Sequence, residues 1–151
     1  MLYFAYGSNL NHKQMKQRCK DSLFLKKFIL KGYNLCFSHK TDKSIYGHAN
    51  VIKDKNFNVP GAIWNISKQD ENELDGYEGV DYNYYQKEYF KINGKKVLIY
   101  VQNIYFKKKP NSTYLHTIIQ GYKDCGIDLN YLKKRIPSYK VNYKIEWQNY
   151  N

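Results

Sequence analysis

The chain has 151 residues, 42% hydrophobic and 25% charged, proportions that exclude wholesale disorder and allow one domain with a real core. The formal net charge of +12 invites a polyanionic partner, but the lysines are scattered (26–27, 95–96, 107–109, 133–134), as a Lys- and Asn-rich composition produces without any dedicated binding face. Cys19, Cys36 and Cys125 are odd in number and far apart, which excludes a disulfide framework and a C-x-x-C zinc site, and no apolar run reaches the ~20 residues of a membrane span.

Residues 2–6 predict a short buried strand that runs into Gly7, Ser8 and Asn9, residue types that turns and caps prefer. Asn9 or Asn11 then caps a helix over 12–19, with Met15 and Cys19 at i, i+4. Strands over 24–30 and 33–38 follow, with Lys31-Gly32 as the turn between them. Residues 39–47 are polar and read as loop. The next strands are 48–52 and 59–66, and Pro60-Gly61 marks an edge or a bulge in the second. Ser67-x-x-Asp70 has capping-box spacing and opens a helix that buries Leu74 and ends near 75–77, where Gly76 weakens it. Asn93-Gly94 joins strands 84–92 and 95–104 as a tight hairpin. After Pro110, Asn111 or Ser112 caps a helix to about Lys123, whose Tyr114, Leu115, Ile118, Ile119 and Tyr122 recur at helical spacing, and Gly126 stops it. Asp128 caps a last helix over 129–136, ended by Pro137. The tail from Tyr139 is basic and aromatic and leaves room for a late strand. The pattern is that of a single α+β domain over 1–151, with a closed or nearly closed β-barrel removing exposed strand edges.

Chemistry is expected at few places. His12, His39, His48 and His116 have no metal-ligand spacing, and there is no G-x-S-x-G elbow or phosphate-binding P-loop. His48 reads as a packed or exposed strand residue, and the cysteines as small buried hydrophobes. Two stretches remain. Tyr6-Gly7-Ser8-Asn9 can be a plain turn with caps, or a strand-to-helix turn whose N–H groups hold a carboxylate or an oxyanion. Asp75 and Glu78 sit at a helix C-terminus, where negative charge costs roughly 0.3–1 kcal/mol. Glu78 also precedes Tyr82, Tyr84 and Tyr85, and a carboxyl group among aromatics can act as acid and base near neutrality.

Together, Tyr-Phe-Ala-Tyr-Gly-Ser-Asn-Leu at 3–10 and Leu-Asp-x-x-Glu-Gly-Val at 74–80, followed by Tyr85, resemble the gamma-glutamylcyclotransferases. The resemblance extends through 59–66, Tyr114 and the step from Gly126 to Tyr131, and so covers most of 1–136. It implies a small mixed β-barrel of about 5–7 strands with flanking helices. It implies release of 5-oxoproline from a gamma-glutamyl amide, with Glu78 as general acid and base and no metal or cofactor. Substrate contacts carried over are Tyr3, Phe4, Ala5, Tyr6, Gly7, Ser8, Asn9 and Tyr114. The implied partner is a small gamma-glutamyl molecule, with no membrane and with nucleic acid disfavoured, in a cytoplasmic monomer or homodimer. Two alternatives stay open: a silent ligand-binding module of the same fold, and a nucleic-acid binder driven by net charge.

Overall fold

Tyr3, Phe4 and Ala5 are all buried because β1 (Leu2–Ala5) has a neighbour on each side, which is why its sequence is apolar without alternation. In the computed structural model, which describes residues 1–136, β1 pairs antiparallel with β3 (His48–Asn65) and parallel with β5 (Lys95–Val101). β2 (Leu23–His39), β4 (Gln86–Ile92) and β6 (Phe106–Lys107) complete a six-stranded mixed sheet in the order β4-β5-β1-β3-β2-β6. Among the described residues the sheet curls into a half-barrel whose edge strands, β4 and β6, do not pair with each other. The small mixed β-barrel of about 5–7 strands expected from the sequence is thus present as a six-stranded half-barrel.

The largest difference from the sequence-based reading lies in the long pair β2–β3. Lys31-Gly32 was expected to reverse the chain, yet the strand runs on from Leu23 to His39. Gly32, at φ 77°, absorbs a register shift instead: Lys31 faces Asn58 and Tyr33 faces Lys53, so residues 54–57 stand opposite the glycine. The two separate strands expected over 48–52 and 59–66 are one strand for the same reason. Pro60 sits beyond Ala62, the last partner of β1, and so lies where β3 keeps only β2 as a neighbour. The expected hairpin at Asn93-Gly94 is present, with φ of 49° and 78°.

Among the described residues four α-helices flank the sheet: α1 (His12–Arg18), α2 (Lys68–Tyr77), α3 (Ser112–Cys125) and α4 (Leu129–Arg135). Each begins on a side-chain cap that the sequence names, respectively Asn11, Ser67, Asn111 and Asp128. Ser67 and Asp70 form a full capping box, and Gly126 ends α3 in the left-handed region. Leu115, Ile118, Ile119 and Tyr122 of α3 join β1, β3 and β5 in one core. The tail from Tyr139, with its possible strand, lies outside the described residues.

Candidate active site

β1 delivers the chain to a tight turn. Leu10 N–H donates to the Gly7 carbonyl at 3.1 Å in a single 3-10 turn, Ser8–Leu10, and the Asn11 side chain then accepts from Gln14 N–H at 2.9 Å to start α1. Two glycines let other elements press on this turn. A Cβ on Gly7 would stand 2.9 Å from the Cβ of Ala49, and one on Gly121 would stand 2.6 Å from the backbone nitrogen of Asn11. The start of β3 and the middle of α3 thus clamp the turn from two directions.

A cavity of about 180 Å³ opens beside it, lined by Gly7, Ser8 and Asn9 of the turn, by Arg18, His48 and Glu78, and by seven tyrosines. Several of the hydroxyls are already engaged. Tyr6 donates to the Tyr100 carbonyl at 2.6 Å, Tyr85 to the Ala49 carbonyl at 2.5 Å, and Tyr100 to Asp75 at 2.6 Å. Tyr114 differs: its oxygen accepts from Ala49 N–H at 2.9 Å, so its own hydrogen remains for a ligand. Burial pushes Tyr3, Tyr6, Tyr85, Tyr100 and Tyr114 well above the ordinary phenol range, and Tyr84 up to about 12, so this wall is polar and uncharged at neutral pH. His48 contacts the Tyr84 hydroxyl through Nδ1 at 2.5 Å, and burial lowers its pKa, which keeps the ring neutral.

Glu78 is the acid in this wall. It is the C-cap of α2, its N–H donating to the Leu74 carbonyl at 2.8 Å, and Gly79 at φ 62° turns the chain away. Asn9 Nδ2 donates to Glu78 Oε1 at 3.1 Å and to the Tyr3 hydroxyl at 3.0 Å. Burial pushes the carboxyl from the usual 4.5 up to about 7, with Arg18 and the Asn9 bond pulling the other way. A carboxyl group so poised exchanges protons readily near neutral pH.

Of the residues singled out from the sequence, Tyr3, Tyr6, Gly7, Ser8, Asn9, Glu78 and Tyr114 come together around this one cavity. Phe4 and Ala5 do not line it. Strand alternation turns Phe4 to the opposite face, where it meets Phe28 and Phe90, and Ala5 is buried opposite Ala62 of β3. Neither therefore offers its side chain to this cavity. The side chain of Asn9 has no free hydrogen for a ligand, since both of its N–H groups are used within the protein. Arg18 and Tyr100 line the cavity without having been singled out, and so does His48, which the sequence had suggested was only a packed or exposed strand residue. Arg18 had one signal, its place about two turns beyond the cap of a helix that follows the motif. His48 and Tyr100 had none, because only the curl of the sheet brings them there.

The comparisons with known proteins agree with this geometry. Residues 58–134 match the model of the AIG2-like family. The chain is 30% identical over 142 residues to the human protein named gamma-glutamylcyclotransferase, covering 88% of this chain and 76% of the relative, and the bovine protein of that name matches to the same extent. A solved structure named gamma-glutamyl cyclotransferase superposes with a TM-score of 0.78 at 27% identity, covering 98% of this chain and 94% of that one. A motif turn and a helix-end glutamate meeting at one cavity, within a fold and a sequence shared over nearly the whole length, leave one conclusion: the chain belongs to the gamma-glutamylcyclotransferase family.

Proposed function

We propose that the chain is a single catalytic domain that converts a gamma-glutamyl amide to 5-oxoproline and a free amine. The substrate's α-amine attacks its own γ-carbonyl, a C–N bond forms to close the lactam, and the C–N bond to the leaving amine breaks. The nucleophile belongs to the substrate, so the protein needs no activated Ser or Cys. Holding the substrate folded is itself worth several kcal/mol, since effective molarities reach ~10⁵ M or more.

The observation that carries this reading is the Glu78 carboxyl, raised to about 7 by burial and placed 3.1 Å from the Asn9 amide of the turn. An α-ammonium group has a pKa near ~8, so a base of similar affinity removes its proton efficiently. Glu78 then returns that proton to the departing amine, and the enzyme ends in its starting state. The N–H groups that open the 3-10 turn and the Tyr114 hydroxyl supply uncharged donors for the substrate carboxylate or the developing oxyanion. The leaving group is an amino acid or a simple amine. A panel of gamma-glutamyl amino acids and gamma-glutamylamines decides between them: 5-oxoproline and free amine should appear in equal amounts from at least one member. Ligand-induced thermal stabilisation without product from any of them would overturn the reading in favour of a silent binding module.

A further inference from the structure

The amide of Asn9 is held from both ends. Its Oδ1 accepts from Arg18 Nη1 at 3.0 Å and from Gln14 Nε2 at 3.2 Å, while its Nδ2 gives one hydrogen to Tyr3 and the other to Glu78 Oε1. Turning the amide over would set its carbonyl against a carboxylate oxygen and its NH₂ against a guanidinium. Arg18 therefore decides which way Asn9 faces. Arg18 is itself fixed at the end of α1, its guanidinium carbon 4.4 Å from the ring centre of Tyr77, the residue directly before Glu78. One side chain thus ties the turn to the end of α2.

We propose that Arg18 is a positioning residue for Glu78: by locking Asn9 it anchors Oε1 and leaves Oε2, which has no hydrogen-bond partner among the described residues, as the atom that takes and returns the proton. The inference rests on the cyclotransferase reading for what that proton does. The titratable groups that feel the charge of Glu78 from the surrounding elements are Tyr3 of β1 and Tyr6 beyond it, Cys19 after α1, Tyr84 and Tyr85 before β4, Tyr100 of β5 and Tyr114 of α3. Burial pushes every one of these upward, so all are neutral between pH 5 and 9 on the scale of ordinary phenols and thiols, about 8.5–10. Arg18 remains the charged neighbour that holds Glu78 down.

The test uses Arg18→Met, which loses both charge and fork, and Arg18→Lys, which keeps the charge alone. The Glu78 carboxyl is titrated by carbon-13 NMR in protein without substrate, and 5-oxoproline release is followed across pH. In Arg18→Met the Glu78 midpoint should rise by about half a unit or more, and the acid limb of kcat/KM should move with it. Its kcat should fall roughly 10- to 100-fold while KM changes less than about threefold. In Arg18→Lys the midpoint should stay within about 0.3 unit while kcat falls about tenfold, because the charge survives and the lock on Asn9 does not. An unmoved midpoint in Arg18→Met overturns the proposal. So does a KM raised more than about tenfold with kcat retained, which would make Arg18 a substrate contact. Should Arg18→Met fail to fold, full kcat in Arg18→Lys overturns it equally. A wild-type protein that makes no 5-oxoproline defeats the functional reading, while the NMR titration still decides whether Arg18 governs Glu78.

Discussion

Asp75 and Glu78 stand three residues apart at the end of one helix, both against its dipole, and the fold resolves the two conflicts in opposite ways. On one side Lys87 Nζ reaches Asp75 at 2.9 Å and Glu71 at 2.5 Å, and Tyr100 donates to Asp75. Hydrogen bonds from Lys68 and Lys87 hold Glu71 below the usual carboxylate range. On the other side Glu78 has an amide and aromatic rings, with no ion pair among the described residues, and its carboxyl rises to about 7. A charge that violates a local rule is therefore ambiguous in itself. Its partner decides whether it is neutralised by a cation, as for Asp75, or left as a raised carboxyl, the state from which we propose that Glu78 carries a proton.

The contrast can be broken most sharply by making both carboxylates amides. Glu78→Gln should lower kcat for 5-oxoproline release by about 10³-fold or more with KM little changed, whereas Asp75→Asn should cost less than about tenfold. Equal losses would abolish the distinction. Next in size is Lys87→Met, which leaves the buried Glu71 and its neighbour Asp75 without their shared cation. It should destabilise by about 3 kcal/mol at pH 7 in urea unfolding. Because Glu71 titrates lower in the folded state than its unfolded 4.5, its stabilisation is present above 4.5 and lost as pH falls through the lowered value. The deficit of Lys87→Met should therefore shrink in acid.

Glu78→Gln should show the opposite sign. A carboxyl whose folded pKa is raised from 4.5 to about 7 destabilises the native state as pH climbs through that interval. The variant should match wild type near pH 4 and exceed it by up to about 3 kcal/mol above pH 8, read from urea midpoints at both pH values. A difference independent of pH would show that Glu78 is not raised. Smallest is Tyr100→Phe, which removes one donor from Asp75 while Lys87 stays. It should cost about 1 kcal/mol in the same unfolding assay, and a larger loss would mean that the hydroxyl, more than the lysine, neutralises Asp75.

Legibility in the sequence followed the range of the interactions. Asn11, Ser67, Asn111 and Asp128 were readable as caps, and Asn93-Gly94 as a hairpin, because each bonds or bends the chain within about four residues. Gly32 was misread because a glycine at positive φ serves a turn and a bulge equally, and only the partner strand distinguishes them. The turn and Glu78 could be named from the motif, whereas which of its side chains face the cavity follows from the pleat, which sends Phe4 to the other face.

The sequence alone determined where helices begin, where the hairpin closes, and which two short stretches hold residues fit for proton transfer and anion binding. Only the tertiary structure decided that those stretches meet, 69 residues apart, across the Asn9–Glu78 bond. It also decided that Lys87 claims Asp75 and leaves Glu78 without an ion pair among the described residues, and that His48 and Tyr100 complete the wall beside Tyr114. The physical reason is that a pKa, unlike a cap, is set by burial and by neighbours that the curl of the sheet brings from anywhere in the chain.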